Sequence, residues 1–109
     1  MIIELIRIFV PYEKEREFGR AVGSLAGPIG VQNGCLNCRV VQNLARPSEL
    51  QLEARWETEV DLTCHLRSEA YKQLLLLMEL GSAPPVVEFL RVVEMGGLNL
   101  VEDAFSRAN

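Results

Sequence analysis

The sequence predicts an α+β domain with the element order βαββαβ, a ferredoxin-like unit in which an antiparallel four-stranded sheet carries helices on one face. Four segments have the composition or the two-residue alternation of strands. Segments with helical spacing separate the first strand from the second and the third from the fourth, and a connection of hairpin length joins the second to the third. The 109 residues suffice for one hydrophobic core.

The first half of the chain predicts a strand, a helix and a second strand. Met1 to Val10 is rich in β-branched residues, contains the aromatic Phe9 and stops at Pro11. The segment from Glu13 to Ile29 has apolar residues at the spacing of one helix face: Phe18, Val22, Leu25 and Ile29. After Gly34, alternation in Leu36 to Asn43 predicts the second strand.

The third strand has the clearest alternation in the chain. The short connection from Ala45 to Ser48 predicts that Glu49 to Glu57 returns antiparallel to the second strand. Its apolar face consists of Leu50, Leu52, Ala54 and Trp56, and its polar face of Gln51, Glu53, Arg55 and Glu57. We therefore expect the apolar face to lie beneath the helices.

Two short helices are predicted to follow. Thr58, with Asp61 three residues later, resembles a capping box for a helix from Glu59 to Leu66, and Ser68 is an N-cap for a helix from Glu69 to Leu80. Both helices should lie on the sheet face that the third strand leaves apolar.

A fourth strand from Val86 to Glu94 completes the predicted domain, which spans residues 1–95. Residues 96–109 form a tail too short to fold alone, with apolar residues Leu98, Leu100, Val101, Ala104 and Phe105. The tail either packs on a partner subunit or is a frayed terminus, and the sequence leaves both alternatives open.

Composition excludes several classes of partner. The net charge is -4 and the 11 basic residues are scattered, which argues against nucleic-acid binding. The longest apolar run, Leu74 to Met78, is too short to span a membrane. Three cysteines give no disulfide framework, so we expect a reducing, cytoplasmic location.

Several segments carry a family resemblance: Gly34-Cys35-Leu36 entering a strand, Leu52 to Glu57 leaving one, Asp61 to Ser68 followed by Tyr71, and Pro84-Pro85 before the last strand. Over roughly Met1 to Val93 they resemble the antibiotic biosynthesis monooxygenase (ABM) family, whose fold is the dimeric α/β barrel. The resemblance implies a homodimer in which two sheets pack face to face. From the residues alone, the second sheet face, with Arg39, Glu53, Arg55 and either Glu88 or Arg91, can equally be a solvated face.

The resemblance also implies an activity. The family includes cofactor-independent oxygenases of polycyclic phenols and quinols, haem-degrading members and an isomerase, so membership gives expectations rather than an assignment. We expect a cofactor-independent monooxygenase that oxidises a small hydrophobic phenol or quinol in a pocket between helices and sheet. The alternative is a non-catalytic small-molecule-binding or interaction domain. Glu4 and Arg7 stand in the first strand where haem-degrading relatives have Asn, which argues against haem degradation.

Four residues are candidates for the site. His65, the only histidine, is expected to accept a proton from a phenolic substrate or to be a structural hydrogen-bonding residue. Trp56, nine positions earlier, can stack on a planar substrate or fill the core. Tyr71 can donate a hydrogen bond to substrate or cap the core. Arg91 can hold an anionic oxygen, or form a cross-strand ion pair with Glu53 or Glu57.

The cysteines do not favour a metal site. Cys35 and Cys38 have ligand-like spacing, and Cys64 precedes His65. However, two strand residues three positions apart point to opposite faces unless a bulge intervenes. We therefore predict no metal site.

Overall fold

The computed structural model describes residues 1–107, and it confirms the predicted order of the first seven elements. The elements are β1 (Ile2–Phe9), α1 (Glu15–Gly30), β2 (Cys35–Gln42), β3 (Glu49–Trp56), α2 (Glu59–Leu66), α3 (Glu69–Glu79), β4 (Val86–Arg91) and α4 (Leu98–Arg107). The α1 helix begins two residues later than predicted, because Glu13 adopts a left-handed φ of 65° that a helix does not continue through.

The four strands form one antiparallel sheet in the order β2-β3-β1-β4. β1 is therefore central, and its first residue Ile2 pairs with Trp56 on one side and Arg91 on the other. This register places the start of β1, the end of β3 and the end of β4 at one edge of the domain. The α2 helix begins at the same edge, directly after β3.

The core lies between the sheet and the α1 and α3 helices. Every second residue of β1 and β3 is buried, and α1 and α3 contribute their apolar stripes. The largest fully buried side chains are Trp56, Ile6, Ile8, Ile29, Leu52, Leu74, His65, Glu4 and Val22. Two polar residues thus lie among the most deeply buried side chains, and both belong to the site described below.

The second sheet face is covered by no element of residues 1–107. Ion pairs join its strands, with Arg39 Nη2 lying 3.2 Å from Glu53 Oε2 and Arg7 Nη2 lying 3.7 Å from Glu88 Oε1. Glu88 lies on this face because it pairs with Leu5, and Arg91 lies on the opposite one. All six β4 residues are exposed.

The predicted tail contains a helix. No residue of α4 is buried, and Leu98 and Val101 on its apolar face are 71% and 63% exposed. The last two residues of the predicted tail, 108 and 109, lie outside the described residues. Within the described part of the chain, no helix is long and apolar enough to cross a membrane.

Candidate functional site

Glu4 and His65 meet in the core, 61 residues apart in the sequence. Glu4 lies on the helix-facing side of β1, between Ile2 and Ile6, and its side chain is 0% exposed. His65 lies on the buried side of α2, whose first turn is fixed by Thr58 accepting from the Asp61 backbone N–H. The Nε2 atom of His65 is 3.0 Å from Glu4 Oε1 and 3.3 Å from Oε2.

Trp56 and Tyr71 hold the His65 ring in place. The Trp56 indole stacks on the imidazole with ring centroids 4.3 Å apart and planes inclined by 25°. Tyr71 meets the imidazole edge to face at 5.1 Å. Such packing leaves the imidazole little freedom to rotate, so its two nitrogens have fixed directions.

The buried Glu4 carboxylate is satisfied by two donors. Trp56 Nε1–H donates to Oε1 at 3.2 Å, and His65 Nε2–H donates to the same carboxylate. A carboxylate removed from water needs such donors, because burying its charge without a partner costs on the order of several kcal/mol. Burial, reinforced by the Glu4 charge, raises the pKa of the Tyr71 hydroxyl, so Tyr71 remains a protonated donor at neutral pH.

The second ring nitrogen of His65 faces Gln32. Nδ1 is 2.8 Å from Gln32 Oε1. The Gln32 amide suits either protonation state, because its oxygen can accept from Nδ1–H and its NH₂ group, after a flip, can donate to a bare Nδ1. Gln32 lies in the turn between α1 and β2, outside both elements.

Gly34 brings that turn close to α2. Its φ is +76°, and a Cβ at this position would lie 2.0 Å from Asp61 Oδ2. Only glycine therefore permits the approach. The Gly34 carbonyl also accepts from the Glu57 backbone N–H at 2.8 Å, which ties the turn to the end of β3. This close packing places Gln32 within reach of His65.

A surface cleft of about 230 Å³ lies beside Gln32 and His65. It is lined by Gln32, Asn33, Asp61, Cys64, His65 and Ser68. The cleft is therefore bounded by the α1–β2 turn on one side and by α2 on the other. The His65 side chain itself has 0% exposure, so only its immediate neighbours meet solvent.

The structure places the four candidate residues in two groups. Trp56 and Tyr71 both contact His65 inside the core. Arg91 is separate and exposed, and its guanidinium bonds to Glu59 at the start of α2 rather than to Glu53 or Glu57. The substrate-binding roles of Trp56, Tyr71 and Arg91 stay predictions.

The cysteines adopt an arrangement that the sequence left conditional. A bulge between Cys35 and Asn37 shifts the register, so that Cys35 pairs with Trp56 and Cys38 with Ala54. Both thiols consequently pack against the core, and burial raises the pKa of Cys38 to about 12 and that of Cys35 above its ordinary value. In residues 1–107 no group of three or more His, Cys, Asp or Glu side chains could hold a metal ion.

Sequence reasoning missed two residues of the site. Glu4 could have been noticed, because it is the one charged residue among the inward-facing, otherwise apolar positions of β1, and buried carboxylates require partners. Gln32 left none, since a polar residue in a turn is ordinary. Their contacts with His65 depend on how β1 and the α1–β2 turn pack around α2.

The arrangement can accept and hold a proton. A carboxylate hydrogen-bonded to one imidazole nitrogen fixes the tautomer and stabilises the imidazolium that forms when the other nitrogen takes a proton. In this site Nε2 is bound to Glu4 and Nδ1 lies toward the cleft. Nδ1 is therefore the atom at which a ligand proton can be received.

Comparison with known proteins agrees with this fold. A family model described as antibiotic biosynthesis monooxygenase matches residues 1–75. No curated protein sequence matches the chain.

Solved structures share the architecture. A conserved protein from Methanosarcina mazei Go1 has 27% identity and a TM-score of 0.75 over 85% of this chain and 94% of its own. Rv0793 from Mycobacterium tuberculosis has 22% identity and a TM-score of 0.72 over 89% of this chain and 100% of its own. A Deinococcus radiodurans protein, provisionally assigned as an antibiotic biosynthesis monooxygenase, has 16% identity and a TM-score of 0.80 over 89% and 97%.

Proposed function

Because the chain belongs to the antibiotic biosynthesis monooxygenase family, we propose that it is a cofactor-independent monooxygenase that oxidises a small hydrophobic phenol or quinol. The observation that carries the proposal is the buried Glu4–His65 couple, whose second nitrogen Nδ1 contacts Gln32 beside a surface cleft. This couple supplies what the first step requires, a fixed base with a stabilised conjugate acid.

In the proposed reaction, Nδ1 of His65 takes the proton of a substrate hydroxyl. Glu4 stabilises the resulting imidazolium through the Nε2–H bond. The phenolate is electron-rich and passes one electron to O₂, giving a substrate radical and superoxide. These combine to form a C–O bond at a ring carbon ortho or para to the hydroxyl.

The remaining step balances the atoms. The ring carbon loses its hydrogen as a proton while the peroxide O–O bond breaks. One oxygen atom becomes a quinone carbonyl, and the other leaves as water after accepting the two protons released by the substrate. All the electrons that reduce O₂ come from the substrate, so the proposed chemistry requires no separate reductant.

Trp56 and Tyr71 are proposed to support this chemistry through the His65 ring. Their contacts keep Nδ1 directed at the cleft, and a direct contact with substrate would require the cleft to extend inward past His65. Arg91 is a weaker candidate, because its guanidinium is engaged by Glu59.

We also propose a homodimer formed through the open sheet face. Apolar Ile3, Leu5 and Phe9 lie on this face without a covering layer in residues 1–107, although antiparallel sheets tolerate one solvated face. Sedimentation at several protein concentrations would test the dimer, and a concentration-independent monomer would exclude it.

The three cysteines are free, which is compatible with a cytoplasmic protein.

Oxygen consumption with a panel of phenols and quinols tests the activity. We expect uptake by the wild-type protein and a loss of about 10²–10⁴-fold in His65→Ala, the usual contribution of a general base. His65→Gln is the second variant, because its amide keeps a donor near Glu4 if the alanine variant fails to fold. Turnover by a folded His65→Gln protein at the wild-type rate would remove His65 from the mechanism.

A binding module is the second candidate. It is favoured by the 0% exposure of the His65 side chain, since a base must reach its substrate. Ligands that raise the melting temperature in both the presence and the absence of oxygen, without oxygen uptake, would support this function over catalysis.

A further inference from the structure

We propose that Gln32 occupies the position of a ligand hydroxyl, and that a neutral, single-ring hydroxylated aromatic binds in the cleft by displacing Gln32 from Nδ1 of His65. The inference rests on the proposed function for its choice of ligand class. It adds a subsite, a residue that controls access to the base and a limit on ligand size and charge.

Only one nitrogen of His65 is available to a ligand. Nε2 is bonded to Glu4, which is fully buried and also accepts from Trp56. A ligand at Nε2 would therefore have to enter the core and break both bonds. At Nδ1 it meets a single half-buried side chain, Gln32.

The imidazole is held in place, so access must come from movement of Gln32. Trp56 stacks on the ring and Tyr71 packs against it, and both residues are buried. Gln32 instead projects from a turn and already lines the cleft. Rotation of its side chain exchanges one hydrogen bond for another, because a ligand hydroxyl can take the place of the amide oxygen at Nδ1, accepting from Nδ1–H or donating to a bare Nδ1.

The cleft selects by size and charge. Its volume of about 230 Å³ lies below the roughly 300–1,000 Å³ typical of pockets for drug-sized ligands, which favours one ring over several. Asp61 lines it and Glu4 lies behind His65, whereas no Lys or Arg of the described chain is among the lining residues. An anionic ligand would meet these carboxylates, so a neutral phenol or hydroquinone fits better than an aromatic acid.

The sole histidine makes the test direct. Anaerobic titration with hydroquinone, followed by ¹⁵N NMR of the imidazole, should shift the Nδ1 resonance and leave Nε2 nearly unchanged. Hydroquinone dimethyl ether, which lacks O–H donors, and 4-hydroxybenzoate, which is anionic, should bind at least about tenfold more weakly, the effect of leaving a buried polar group unpaired or facing a like charge.

Two substitutions at Gln32 should act in opposite directions. Gln32→Ala removes the competing side chain and should tighten hydroquinone binding about fivefold, the equivalent of one net hydrogen bond. Gln32→Glu places a carboxylate at Nδ1, forms a charge-assisted bond with the imidazolium and should weaken binding by at least that factor. Gln73 lines a separate groove between α1 and α3. Gln73→Ala is therefore the matched control and should leave the affinity for hydroquinone unchanged.

The outcomes separate this inference from the proposed function. Displacement at Nδ1 without oxygen uptake under air would retain the subsite and refute the monooxygenase. Oxygen uptake with unchanged affinity in both Gln32 variants, or with a shift confined to Nε2, would refute the subsite and leave the oxygenase standing. Equal effects of Gln32→Ala and Gln73→Ala would also refute it.

Discussion

Replacing Glu4 by glutamine should destabilise the protein although the two side chains have nearly the same shape. Glu4 is fully buried, and its Oε1 atom is 3.0 Å from His65 Nε2 and 3.2 Å from Trp56 Nε1. Glutamine can retain an oxygen at that position. Its NH₂ group then faces Nε2 at the site of Oε2, which is 3.3 Å away, so two donors oppose each other unless the imidazole changes tautomer.

The expected loss follows from the charge on these bonds. Hydrogen bonds to a charged group contribute about 1.5–3 kcal/mol and neutral ones about 0.5–1.5 kcal/mol, so converting two charged bonds to neutral ones should lower the free energy of unfolding by about 2–3 kcal/mol. Glu4→Leu leaves both donors unsatisfied and should lower it by about 4 kcal/mol, at roughly 1–3 kcal/mol for each stranded group. Either loss is a large part of the roughly 5–15 kcal/mol that stabilises a domain.

Urea unfolding at fixed protein concentration measures the effect, with the fluorescence of Trp56, the only tryptophan, and far-ultraviolet circular dichroism as independent probes. With a slope of about 1–3 kcal/mol per molar urea, Glu4→Gln should move the midpoint by about 0.7–3 M. Keeping the concentration fixed matters because dimerisation would add to the apparent stability.

Glu17→Gln is the control, on the exposed side of α1 and away from the sheet face proposed for the dimer. Glu17 pairs with Lys14 at 3.7 Å in solvent, where such pairs contribute about 0–1 kcal/mol. A free energy of unfolding for Glu4→Gln within about 0.5 kcal/mol of the Glu17→Gln value would refute the reasoning, because the buried carboxylate would then add no more than a surface one.

Three further predictions concern stability and thiol chemistry. Gly34→Ala should lower the free energy of unfolding by about 2 kcal/mol, because of the left-handed φ at this position and the contact of the new Cβ with Asp61. Gly23→Ala should raise it by about 0.5–1 kcal/mol, because Gly23 lies in the exposed middle of α1 with nothing within 4 Å of the new Cβ. The melting temperatures of the two variants should therefore shift in opposite directions. Folding raises the pKa of Cys38 from 9.0 to about 12, so the folded state holds this proton more tightly and stability should fall as the pH rises from 9 toward 12, with a smaller fall in Cys38→Ala. At pH 8 iodoacetamide should label exposed Cys64 before Cys38, and the reverse order would contradict the burial of Cys38.

Periodicity predicted most of the fold because a strand or helix that packs on a core repeats its apolar residues at a fixed spacing. Strand β3 alternates without interruption, so its buried face could be read directly from Leu50 to Trp56. The N-caps Thr58 and Ser68 fixed the starts of α2 and α3, since each hydroxyl accepts from a backbone N–H three residues later. The resemblance of short motifs then supplied the family, which the match over residues 1–75 shows.

The site was predictable only in part. His65 and Trp56 were distinguished by being the single residues of their types, and their proximity followed from a strand leading into a helix. Trp56 stacks on His65, a contact that neither alternative given for it, a substrate-facing or a core side chain, specified. The bulge in β2 that brings Cys35 and Cys38 to one face had no local signature.

The sequence by itself determined the first seven elements, their order, the buried faces of α1 and β3 and the residue types able to carry chemistry, because these depend on periodicity and capping within a few neighbouring residues. The tertiary structure decided the partners. Glu4 and Gln32 reach His65 from positions 61 and 33 residues away, through strand register and a glycine turn that no local pattern encodes. A buried charge needs partners wherever the fold can bring them, so the contacts of His65 were determined by packing across the domain.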